Sequence, residues 1–152
     1  YKAKEDVNSI AHAHPMYGKT FSTLGKMLDP ISQDSCAFYE RTAIFADYDG
    51  VANGPDEGIN IAKALGDKEF CILQNHGILT TGSMVDTAVW YFLNMEDACK
   101  SQLLAEAVGK PKVIPHDTAC ATRDYVANDL SAYVSFQPTI DVLWEEEPDL
   151  LD

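Results

Sequence analysis

Read from the N-terminus, the alternation of apolar and polar positions changes period several times. Val7 to Pro15 reads as a short buried strand closed by a proline, which lacks the N–H a ladder needs. Met16 to Leu28 follows a helical period, with Phe21, Leu24 and Leu28 on one face and Asp29-Pro30 as the stop. No clear period governs Ile31 to Tyr39. Thr42 to Ala46 is a second short strand, and Asp47 to Pro55, with Gly50 and Gly54, is rich in turn residues. Asp56 is placed to cap a helix from Glu57 to Leu65 that Gly66 stops. Glu69 to Gln74, built on Phe70, Cys71, Ile72 and Leu73, has the length and apolarity of a buried strand, and Ile78 to Thr81 follows as another.

Gly82 and Ser83 read as the turn and cap before a long helix from Met84 to Val108. Its apolar stripe runs through Val85, Ala88, Val89, Phe92, Met95, Cys99, Leu103 and Ala107. Gly109, Lys110 and Pro111 end it. A second helix is expected over Thr118 to Tyr133, and the acidic stretch Glu145-Glu146-Glu147-Pro148 is expected to be solvated. Strands alternating with helices predict an α/β fold with helices layered on a mixed sheet.

Composition narrows the functional classes. Twenty-four acidic and eleven basic residues give a net charge of −13. Such a surface repels phosphate backbones and anionic headgroups, which argues against nucleic-acid binding and membrane docking. No apolar run approaches the ~18 residues of a membrane span. Cys36, Cys71, Cys99 and Cys120 are widely spaced without a CxxC pair. They read as reduced core thiols and point to the cytoplasm. The chain opens without Met on a charged segment and reads as the C-terminal part of a longer protein.

The informative chemistry is His12-Ala13-His14. Residues i and i+2 of a strand share a face, so both imidazoles can reach one ion while Ala13 points away. Neutral imidazole suits zinc and other first-row divalent cations. His76 follows an apolar strand, and Gly77 beside it allows a sharp turn or a close backbone approach. Three histidines leave a coordination position open for water or substrate, the mark of catalytic sites. His116, between Pro115 and Asp117, reads as a surface residue in a loop. Tyr17 reads as packing or pocket lining and Lys19 as a solvated cation or an anion contact. Trp90, Tyr91 and Phe92 are expected in the core or at an interface, and Phe136 and Trp144 as possible interface residues.

The segments AHAHPMYGKTFSTLG and LQNHGILTTGSMVDTAVWYFLNMEDACKSQLLAEA resemble the class II aldolase/adducin head family, in which an HxH pair and an NHG histidine bind a catalytic divalent ion, usually zinc. The 62 residues from His14 to His76 and the long helix after them suit that family. QDSCAFYE, residues 33–40, resembles fungal adducin-like members more than the bacterial enzymes. The resemblance implies a three-layer α/β/α fold with a central mixed, mainly antiparallel sheet, one such domain over residues 1–152, and a homotetramer with active sites between subunits. It also implies that His12, His14 and His76 hold zinc and that the substrate is a small hydroxy-carbonyl compound or sugar phosphate. Members such as fuculose-phosphate aldolase cleave L-fuculose 1-phosphate through a metal-stabilised enediolate. Others are decarboxylases or epimerases, and adducin-type heads serve the cytoskeleton without demonstrated catalysis. The family's acid/base glutamate and phosphate loops fall upstream of Tyr1. Its tyrosine after the DP turn has no counterpart in Ile31-Ser32-Gln33-Asp34-Ser35; the next tyrosine is Tyr39.

Overall fold

The computed structural model describes residues 1–46 and 55–151. Four strands, β1 (Ser9–Ala13), β2 (Thr42–Phe45), β3 (Phe70–Leu73) and β4 (Gly77–Gly82), form a sheet in the order β1-β4-β3-β2. Strand β4 pairs antiparallel with both β1 and β3, whereas β2 runs parallel to β3. The sheet is therefore mixed and mainly antiparallel.

Helices cover both faces. The first and third, α1 (Met16–Ser22) and α3 (Val85–Val108), lie on one face, where Phe21, Phe38, Phe70, Ile72, Ile78, Tyr91 and Met95 share a core. Helix α2 (Pro55–Leu65) covers the other, where Leu65 packs with Ala43, Phe45, Cys71 and Leu73. Strand β3 shows why. Phe70 and Ile72 enter the first core, Cys71 and Leu73 the second, and all four are at most 2% exposed. A strand buried on both sides is a continuous apolar run, and burial pushes the Cys71 thiol up to about 11. Helix α5 (Asp129–Glu146) packs on α3, and α4 (His116–Val126) on a 3-10 turn at Asp34–Phe38.

Several boundaries differ from the sequence expectation. Strand β1 is an edge rather than a buried strand: among the described residues its one neighbour is β4, and Ile10 is 40% exposed. Helix α1 stops at Ser22, not Leu28, because Gly25 takes a left-handed φ of 60°. Phe21 and Leu28 still reach the core while Leu24 stays outside it. Helix α2 begins at Pro55, so Asp56 lies within its first turn and does not precede it. The turn-rich segment with Gly50 and Gly54 lies outside the described residues, apart from Pro55. Ser83 does not cap α3; Met84 occupies that position, and the Ser83 hydroxyl donates to Asp129 Oδ2 at 2.6 Å.

The buried stripe of α3 is rotated from the expected one. It runs through Thr87, Ala88, Tyr91, Met95, Ala98, Cys99 and Gln102, and Val85 is 66% exposed. Gln102 belongs there because its amide is bonded: Oε1 accepts from the Asp29 N–H and Nε2 donates to Asp29 Oδ2, each at 2.8 Å. The single helix expected over Thr118 to Tyr133 is two helices. Asn128 caps the second by accepting from the Ser131 N–H at 2.9 Å. Glu145, Glu146 and Glu147 are exposed as expected. Cys36, Cys71 and Cys99 are buried free thiols, whereas Cys120 is half-buried. No helix among the described residues is long and apolar enough to cross a membrane.

Candidate metal centre

Two chain reversals bring the histidines together. Pro15, at φ −68°, ends β1 and leads into α1, leaving His12 on the strand and His14 just past it. Strands β3 and β4 form a hairpin whose Leu73↔Gly77 pair encloses Gln74, Asn75 and His76. Asn75 adopts a left-handed φ of 58°, a conformation asparagine tolerates better than most residues. The loop is tied on three sides. The Gln74 N–H donates to Phe45 O at 2.9 Å, the Asn75 N–H to Ser22 O at 3.4 Å and the His76 N–H to Leu73 O at 2.9 Å.

The rings of His12, His14 and His76 converge, with centroid separations of 5.2, 5.0 and 4.5 Å. One nitrogen from each lies within 4.8 Å of the others. A cation with ~2.1 Å bonds would draw such nitrogens to about 3.4 Å apart. His12 Nδ1 sits 2.9 Å from the Ile78 carbonyl oxygen. That oxygen can only accept, so Nδ1 carries the proton and Nε2 presents its lone pair. A carbonyl partner of this kind orients a metal-binding imidazole.

His76 is half-buried, while His12 and His14 face solvent, so one side of the cluster is open. Burial, and then the fields of His12 and His14, hold His76 below the ordinary imidazole range; the Glu57 carboxylate on α2 opposes them. A depressed pKa means that the unfolded chain takes up the proton first. Stability from this group is present above the ordinary value of ~6.5 and is lost as pH falls through the lower folded value. Metal occupancy follows the same direction, because each ligand must be neutral. Affinity measured by calorimetry should fall steadily below about pH 6.5. Full occupancy at pH ~4 would rule out histidine ligation.

Glu96 is a supporting residue that sequence reasoning missed. From α3 its carboxylate accepts the N–H groups of Tyr17 at 2.8 Å and Gly18 at 2.5 Å, the free donors opening α1 immediately after His14. Charge-assisted bonds of this type contribute about 1.5–3 kcal/mol. Glu96→Ala should therefore lower unfolding free energy in urea by roughly 2 kcal/mol, with Glu96→Gln intermediate; equal stability of all three would show that the contact is idle. Tyr17 packs against the core beneath Lys100 Nζ, and Lys19 is exposed. Phe136 is buried and Trp144 is 46% exposed.

His116 is not in a loop: it opens α4, and it stands with Glu40 and Cys120, away from the three-histidine cluster. The spacing of His116 and Cys120, four apart on one helix, was a signal available in the sequence.

A mixed sheet that presents three imidazoles at one edge, with an open side, has the arrangement of a mononuclear catalytic cation site. Residues 1–103 match the family described as Class II Aldolase and Adducin N-terminal domain, and the chain belongs to that family. It is 37% identical over 150 residues to the decarboxylase NovR of Streptomyces niveus, covering 99% of this chain and 56% of that protein. It is 39% identical over 141 residues to the meiotically up-regulated gene 14 protein of Schizosaccharomyces pombe, covering 91% and 55%. Among solved structures, L-fuculose 1-phosphate aldolase from Glaciozyma antarctica superposes with a TM-score of 0.88 at 38% identity, covering 97% of this chain and 56% of that one. The chain thus spans about half the length of these relatives.

Proposed function

We propose that the protein is a divalent-metal-dependent carbon–carbon lyase, with zinc held by His12, His14 and His76. Its reaction is retro-aldol cleavage of a small hydroxy-carbonyl compound, a sugar phosphate such as L-fuculose 1-phosphate being the leading class. The observation that carries this reading is the convergence of three imidazoles with one side left open. Likeness to the Glaciozyma aldolase along nearly the whole chain supports it. When bound, the cation supplies Lewis-acid stabilisation for the negative charge that develops on oxygen as the bond breaks.

The protein's own residues do the rest by positioning. Ile78 O fixes the His12 tautomer, Glu96 anchors the helix that follows His14, and the left-handed Asn75 presents His76. The acid/base group is assigned to a glutamate upstream of Tyr1, and the working assembly to a cytoplasmic homotetramer with sites between subunits. Identity to NovR favours a second reading, decarboxylation of a small acid at the same cation; both reactions leave charge on an oxygen beside the broken bond.

Metal analysis combined with parallel retro-aldol and decarboxylation assays on the full-length protein separates these outcomes. One zinc per three-histidine centre and aldehyde release from a ketose phosphate are expected. Carbon dioxide release alone would transfer the assignment to the second reading. A folded protein that binds no metal and turns over neither substrate would overturn both and leave a non-catalytic adducin-like role.

A further inference from the structure

A second group of donor atoms lies where α4 meets the 3-10 turn, and it shares no residue with the three-histidine centre. His116 and Cys120 are one helical turn apart and so share a face of α4. Glu40, two residues beyond the 3-10 turn, supplies the third donor. One donor atom from each lies within 4.8 Å of the others.

The individual distances are informative. Cys120 Sγ is 3.8 Å from each ring nitrogen of His116 and 3.7 Å from Glu40 Oε2, and Glu40 Oε1 is 3.7 Å from His116 Nδ1. In a tetrahedral site with metal–sulfur bonds of ~2.3 Å and metal–nitrogen or –oxygen bonds of ~2.1 Å, donor atoms stand about 3.4–3.6 Å apart. These separations are within a few tenths of an ångström of that spacing.

Three other features fit. Glu40 holds a φ of 60°, in the left-handed region that non-glycine residues rarely occupy without a compensating contact. The Tyr39 hydroxyl is 3.1 Å from His116 Nδ1, a partner that can orient the imidazole. Arg123 Nη1 is 3.3 Å from Glu40 Oε2, an ion pair that holds the carboxylate beside the cluster. An ion-pair network alone explains Arg123 and Glu40, but it has no use for a thiol at this position.

We infer that Glu40, His116 and Cys120 form a second divalent-cation site, of the zinc class, which fastens α4 to the 3-10 turn. Thiolate, imidazole and carboxylate together select a borderline-soft ion such as zinc over magnesium or calcium. Binding replaces the thiol proton of Cys120, which passes to solvent, and a water completes the fourth position.

The sulfur makes the site separately observable, because the three-histidine centre contains none. Cobalt(II) titrated into the full-length reduced protein should produce a sulfur-to-metal charge-transfer absorption in the near ultraviolet. His12→Ala should retain that band, and Cys120→Ser should lose it. Glu40→Gln and His116→Ala should raise the cobalt concentration for half-saturation by at least about tenfold. Cys36 is the control: it is a buried thiol outside the donor set, where burial, then the Asp34 and Cys120 charges, push its thiol up. Cys36→Ser should leave the band intact. Circular dichroism without metal verifies that each variant folds. A wild-type protein with no thiolate band, or a band that survives Cys120→Ser, would overturn the assignment.

Discussion

Replacing His76 by alanine should empty the three-histidine centre and remove the activity while leaving the fold nearly unchanged. Structural zinc sites with four ligands bind with about 10–16 kcal/mol, so one imidazole contributes about 3 kcal/mol. That corresponds to roughly a hundredfold rise in Kd. The loss in kcat/KM should be larger, about a thousandfold or more, because several kcal/mol of charge stabilisation disappears with the ion. Stability should change by only about 0.5 kcal/mol. His76 occupies a hairpin tip whose backbone is held by Leu73 O, Phe45 O and Ser22 O, none of which depends on the imidazole. Metal content, steady-state kinetics and the urea midpoint measured on one preparation test all three parts. A variant that binds as much metal as wild type and keeps full turnover would remove His76 from the centre.

Much of this arrangement was legible in the sequence, for identifiable reasons. Phe70-Cys71-Ile72-Leu73 contains no polar position, and a strand that short and that apolar has two covered faces. The HxH pair and the NHG segment singled out three imidazoles that lie together, but His14 falls just past the end of β1, so strand alternation does not account for its place. What was not legible depends on partners distant in sequence. Whether β1 is central or an edge is decided by what lies beside it, and its own residues do not encode that. The phase of α3 was misjudged because Thr87 and Gln102 are buried polar residues, the latter satisfied by Asp29 73 positions away. The Ile78 carbonyl on His12 follows from the β1–β4 register, which a single sequence does not reveal. Two misses were avoidable. Gly25 announces the end of α1, and Asn128-Asp129 announces a new helix.

Gly77→Ala should damage the centre without altering any ligand. A Cβ at this position would lie 2.5 Å from the Ala13 carbonyl oxygen and 3.3 Å from His14 Cδ2. The first atom is backbone and cannot rotate away: β1 is fixed by the pairs Ala13↔Ile78 and His12↔Leu79. Accommodation therefore requires the end of β1 to separate from β4, or the hairpin to shift along β3 with core residues Ile72 and Leu73. Overpacking of this kind costs about 1–3 kcal/mol, and contact with backbone places this case near the upper end. Either movement displaces His14 relative to His76, so metal affinity should fall by a further factor of about 10–100, as when a supporting group is lost. Gly58→Ala in α2 is the matched control. No atom of the described residues lies within 4 Å of its Cβ position, and alanine there should be neutral or stabilise by up to about 1 kcal/mol. Urea unfolding and metal titration of the two variants separate the close approach from a general effect of adding a methyl group. If Gly77→Ala matched wild type in both measurements, the requirement for glycine in the NHG segment would lie elsewhere than in the backbone contact with β1.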